Sequence, residues 1–150
     1  MIWILIIIAI VGIIVAFMLG STSGQVVGSV QSHGGMRMKY AKLIEHILAG
    51  HKDAEIFGET RTYLRAGVSN YGGTTLWHIQ QSTNNVVIIQ YEVKDNPVCP
   101  SFELEWKFPD TMDQNEMMMV MDIDIQKKLM QLNPYHTPVL NEDILSQLAD

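Results

Sequence analysis

Nothing restricts this chain more than the run Met1 to Leu19, MIWILIIIAIVGIIVAFML, which is apolar throughout and holds no charged side chain. At about 1.5 Å per residue, a helix of that length crosses a hydrocarbon core of about 30 Å. Inside lipid a helix satisfies its own backbone hydrogen bonds, which an irregular apolar segment cannot do. Trp3 stands near one end of the run, where an indole lies at the headgroup level. A cleaved signal peptide would instead begin with a basic region and carry an apolar stretch of about 7–15 residues. Here no Lys or Arg precedes the run and the run is longer, although GSTSG after it offers small residues to a peptidase. A buried core helix fits less well, because the rest of the chain has little with which to surround it. Residues 1–19 therefore read as a single-pass transmembrane anchor, and the lipid bilayer is the first expected partner.

The next segment, Gly20 to Gly35, GSTSGQVVGSVQSHGG, is rich in Gly and Ser and carries no Asp, Glu, Lys or Arg. Composition of that kind predicts a flexible linker over residues 20–35. Basic residues near a span favour the cytoplasmic side. None precedes the run, while Arg37, Lys39 and Lys42 follow it at the edge of the distance over which that bias acts. The lone Cys99 cannot form an internal disulfide, in keeping with a reducing compartment. The expected location is the cell membrane, with the soluble domain in the cytoplasm.

Residues 36–150 carry the pattern of a soluble α+β domain. In MRMKYAKLIEHILAGH the apolar positions Met36, Tyr40, Leu43, Ile44, Ile47 and Leu48 recur at helical spacing, and Gly50 supplies a stop. Four strand-like segments follow. Glu55 to Ser69 is long, with Gly58 as a bulge or kink; Thr74 to Ser82 follows the turn SNYGG; Asn85 to Val93 follows STN. Ser101 to Phe108 is the clearest, since Phe102, Leu104, Trp106 and Phe108 alternate with Glu103, Glu105 and Lys107. Connections this short favour antiparallel neighbours. The expected architecture is a two-layer domain, a four-stranded antiparallel meander with flanking helices on one face, in the order helix-β-β-β-β-helix-helix. The inner face should hold Leu64, Ala66, Val68, Trp77, Ile79, Val87, Ile89, Tyr91, Leu104 and Trp106. The outer face should hold Arg65, His78, Gln80, Gln90, Glu103 and Glu105.

After Pro109 the chain turns helical, with Asp110, Thr111 or Asp113 as its cap and Asn133-Pro134 as its end. A short last helix should begin near Asn141. Four methionines crowd Met117 to Met121, and a helical wheel divides them. Met117, Met118, Met121, Ile125, Leu129 and Leu132 form an arc directed at the sheet. Met119, Ile123 and Met130 form a second arc, roughly opposite. That second stripe is either covered, by Val139, Leu140, Ile144, Leu145 and Leu148 folding back or by a partner protein or self-association, since methionine suits adaptable interfaces, or left exposed.

Signs of chemistry are sparse. A formal net charge of −6 with scattered basic residues argues against nucleic acid as a partner. His46 and His51 are five residues apart, off any shared helix face, and the usual zinc spacings are absent. Glycine pairs in HGG and YGG lack a phosphate-cradling framework, and DQNEMMMVMDID lacks the ligand spacing of a calcium loop. Neither a metal ion nor an organic cofactor is expected. Glu103 and Glu105, with His78 across the sheet, form the one acid–base grouping the pattern permits, and alternating charge on a wet sheet face explains them equally. The functional expectation is a single-pass membrane-anchored protein-interaction module, non-catalytic, with Met119, Ile123 and Met130 as its contact surface. The alternatives are a structural subunit of a membrane assembly and a small tethered enzyme built on Glu103, Glu105 and His78.

Overall fold

A computed structural model describes residues 26–133 of the chain. The expected anchor at residues 1–19 and the expected last helix near Asn141 lie outside the described residues, as do the apolar residues expected to cover the methionine-rich helix. Among the described helices none is long and apolar enough to cross a membrane.

The chain is helical over residues 26–32 (α1), where the sequence composition predicts a flexible linker. Val30 in this turn is fully buried. The helix is stopped by the glycine pair of SHGG. Gly35 N–H donates to the Val30 carbonyl at 2.9 Å and Gly34 N–H to the Gln31 carbonyl at 3.0 Å. Gly34 has φ of +84°, the left-handed conformation that this Schellman stop requires. The linker expectation is therefore corrected over residues 26–35. Val26, Val27 and Val30 give the segment an apolar side, and its glycines end a helix instead of loosening a tether.

Two short helices follow, α2 (Met36–Lys39) and α3 (Ala41–Ala49), the latter closed by Gly50 N–H on the His46 and Ile47 carbonyls. Then come five strands: β1 (Glu55–Glu59), β2 (Tyr63–Asn70), β3 (Gly73–Gln81), β4 (Val86–Lys94) and β5 (Phe102–Pro109). A long helix, α4 (Gln114–Leu132), completes the described chain. The strands lie in sequence order in one antiparallel sheet. The molecule is thus α+β as expected, with five strands and not four. The segment Glu55 to Ser69 is two strands joined by a turn in which Thr60 N–H donates to the Tyr63 carbonyl at 2.7 Å. Its residues, ETRT, carry no Gly, Pro, Asn or Asp, so no turn signal divides the run. The register slips between Ile56 and Gly58, where the kink was expected.

Both longer helices pack on one face of the sheet. Tyr40, Leu43, Ile44 and Ile47 from the α3 region and Met117, Met121 and Ile125 from α4 meet Leu64, Ala66, Ile79, Val87, Ile89 and Trp106. Register places the expected inner residues together, Leu64 beside Ile79 and Ala66 beside Trp77, then Ile89 beside Trp106 and Tyr91 beside Leu104. Gln114 sets the two helices side by side from their first turns. Its Nε2 donates to the Lys39 carbonyl at 2.9 Å and its Oε1 accepts from Leu43 N–H at 3.1 Å. Because α3 has 9 residues and α4 has 19, α4 outruns its neighbour. The difference amounts to about 15 Å at the helical rise.

Beneath the starts of both helices lies a buried polar cluster. Lys39 Nζ donates to Asp110 Oδ2 at 2.7 Å and to Ser29 Oγ at 2.8 Å. Gln81 Nε2 donates to the same carboxylate oxygen at 3.2 Å, and Tyr40 O–H donates to Gln81 Oε1. Burial, reinforced by the Asp110 charge, pushes the Tyr40 phenol well above its ordinary range. This cluster ties α1, α2, β3 and the end of β5 into one unit.

Candidate functional site

Where α3 stops and α4 continues, the inner face of the sheet is left partly uncovered. Leu64, Ala66, Ile79 and Val87 are fully buried beneath the helices, while Val68, Trp77, Tyr91 and Leu104 nearer the β2–β3 turn are only half-buried. The result is a cleft of about 850 Å³ between the end of α3, the middle of α4 and that end of the sheet. This is within the range of small-molecule and side-chain pockets, about 300–1,000 Å³.

Aromatic rings floor it. Trp77 and Tyr91 are cross-strand neighbours with ring centroids 4.6 Å apart and planes at 52°. Trp106 stacks beyond Trp77 at 6.3 Å, and its indole N–H donates to Asp124 Oδ2 at 2.8 Å, which anchors that ring to α4. Two glycines shape the lip. Gly67 has φ of +147°, and a Cβ there would stand 2.1 Å from the Thr75 carbonyl oxygen. Gly73, at φ of +119°, brings the β2–β3 turn against the loop after β4, where a Cβ would meet Asn96 Cα at 3.0 Å. In both places the backbone approach leaves no room for a side chain.

Polar groups stand along the helix side. His46 Nε2 lies 3.6 Å from Asp122 Oδ1, joining the two helices across the cleft mouth. The Asp122 carboxylate beside it raises the His46 pKa, against a smaller opposing effect of burial. Tyr91 is pushed up to about 12, by burial first and then by Cys99 and the Asp122 charge. The Asp122 carboxylate thus acts on both the imidazole of the mouth and the phenol of the floor. His51 lines the same space but turns to its own loop, with Nδ1 accepting from Asp53 N–H at 3.0 Å. Among the described residues no hydroxyl or thiol hydrogen-bonds the His46 imidazole.

The three residues of the expected contact surface fall together on α4. Met119 is 37% exposed, and Ile123 and Met130 are half-buried. At about 100° per residue, Gln126 lies between this stripe and Asp122, which places the stripe next to the cleft wall. Of the expected sheet-directed arc, Met117, Met121 and Ile125 are buried and Met118 and Leu129 pack on the core; Val120 joins them.

On the outer sheet face, Glu103, Glu105 and His78 border a shallow depression of about 260 Å³. Their bonds lead elsewhere. His78 Nδ1 pairs with the Tyr63 hydroxyl at 2.6 Å and Nε2 with Glu92 Oε2 at 3.4 Å. Register puts Gln90 between His78 and Glu105, and Gln90 Nε2 donates to Glu105 Oε2 at 2.7 Å. Hydrogen bonds from Gln90 and Lys107 hold the Glu105 pKa below its ordinary value. Burial and the Arg65 charge lower that of His78.

His46 and Asp122 were not picked out together by the sequence. The one signal for them was the contrast in length between a helix ended by Gly50 and one running to Asn133. Among the described residues no group of three or more metal-binding side chains comes together. Comparison with protein-family models, with curated proteins and with solved structures gives no match.

Proposed function

We propose that the chain is a single-pass membrane-anchored protein-interaction module, non-catalytic, held at the bilayer by residues 1–19. Its contact surface is the aromatic-floored cleft together with the adjoining α4 stripe of Met119, Ile123 and Met130. One observation carries this reading. The helices leave half-buried aromatic rings open at one end of the sheet, beside a helix face that continues the same surface. Aromatic side chains in a partly open hollow are the usual anchors of protein interfaces. A tether to the membrane raises the local concentration of such a domain near membrane partners.

The test uses the full chain extracted from membranes with mild detergent. Partners that co-purify with the wild type should be lost with Met119→Asp/Ile123→Asp or with Val68→Asp at the cleft. They should be retained with Glu105→Ala on the outer face. Cooperative unfolding of each variant would separate lost contact from lost fold. An unchanged set of partners in both surface variants would defeat the proposal.

A further inference from the structure

We infer that the cleft takes a basic segment of another protein, seating an arginine or lysine side chain over Trp77 and Tyr91 with its charge against Asp122. This rests on the interaction reading above and names the chemistry of the partner. The aromatic pair comes first. Ring faces attract cations placed within about 6 Å, and a guanidinium can also stack flat on them. Trp77 and Tyr91, 4.6 Å apart and half-buried, both line the cleft.

The second element is the carboxylate at their margin. Asp122 keeps 37% of its side-chain surface exposed, so it stays hydrated until a ligand arrives. No lysine or arginine lines the cleft, which leaves His46 as the sole cationic competitor in contact with Asp122 among the described residues. The overall charge of −6 steers a basic segment toward the domain. Residues 1–25 and 134–150 contain no Lys or Arg, which favours another molecule as the source of the cation.

His46 gives the site a pH dependence. The titratable groups sharing the cleft with it are Asp122 on α4, His51 beyond α3 and Tyr91 on β4. Protonated His46 occupies Asp122; neutral His46 releases it to the incoming cation. Affinity for a basic segment therefore rises as pH rises through the His46 titration.

The experiment measures binding of two fluorescent peptides to the detergent-solubilised full chain by anisotropy. One is Gly-Ser-Leu-Gly-Arg-Gly-Leu-Ser-Gly; the other replaces arginine by citrulline, which keeps the shape and loses the charge. The expected result is at least about tenfold tighter binding of the arginine peptide at low salt, a difference of about 1.4 kcal/mol. Asp122→Asn, close in shape, should erase that preference while the domain still unfolds cooperatively. Trp77→Phe should weaken the arginine peptide while the domain still unfolds cooperatively. The preference should grow from about pH 5.5 to about pH 8 in the wild type and stay flat in His46→Gln. Equal affinity for the two peptides, or a preference that survives Asp122→Asn, overturns the inference. So does the absence of binding to either peptide at about 1 mM. Free arginine amide binding as tightly as the peptide would point to a small-molecule cation and would also overturn it. Self-association without peptide that Asp122→Asn dissolves would make the occupant a second copy and would overturn it as well. Loss of charge preference while cleft variants still lose their co-purifying partners sinks only this inference. Partners indifferent to the cleft sink the interaction reading itself.

Discussion

Lys39 and Asp110 show what is at stake in single residues. Their side chains are 6% and 7% exposed, and each is satisfied chiefly by the other. Removing one leaves a buried charge without its partner. Lys39→Met should therefore lower stability by about 3–5 kcal/mol in urea unfolding, while Lys39→Met/Asp110→Leu should recover most of that loss. A double variant no more stable than the single one would show that the cluster is held by Gln81 and Tyr40 instead. The histidines make opposite pH predictions. His46 has a raised folded pKa, so its contribution is complete below the unfolded value of about 6.5 and is lost as pH rises through the folded one. The stability gap between wild type and His46→Gln should be widest near about pH 5.5 and close by about pH 8. His78 is lowered, so acid protonates the unfolded chain first and draws stability away as pH falls below about 6.5. The penalty of His78→Gln should accordingly shrink in acid.

Elements were legible in proportion to the chemistry of their ends. For β5 a strict alternation of Phe, Glu, Leu, Glu, Trp, Lys and Phe left one reading, and the burial along the strand follows it. The start of α4 offered three caps. The structure uses Asp113, whose side chain accepts from Asn115 N–H at 2.8 Å. Asp113→Ala should cost about 1 kcal/mol. The β1–β2 turn was hidden because ETRT carries no turn residue, and a single long strand was the simpler reading. The segment α1 was hidden for the reverse reason. Gly and Ser suggested looseness, although the pair Gly34-Gly35 is placed where a helix needs to stop. Gly34→Ala should destabilise by about 1–2 kcal/mol, because the left-handed conformation disfavours a Cβ. A substitution without effect in thermal unfolding would show that this stop is not needed.

For the whole molecule, the sequence conveyed layers and faces but not where the layers fail to overlap. That failure creates the cleft. It follows from α3 ending at Gly50 and from Gln114 fixing the two helices at their starts, a tertiary contact with no local signature. The proposed anchor makes its own prediction. The full chain should remain in membranes washed at alkaline pH, and a membrane-impermeant maleimide should reach Cys99 only after lysis if the domain faces the cytoplasm. The central claim, that this domain works through the cleft side and not through its charged sheet face, has a direct test. A photo-crosslinking amino acid would be placed at Val68 in one full-length chain and at Glu105 in another, with both irradiated in native membranes. The account predicts discrete crosslinked products from Val68 and none from Glu105. Products from Glu105 with none from Val68 would contradict it.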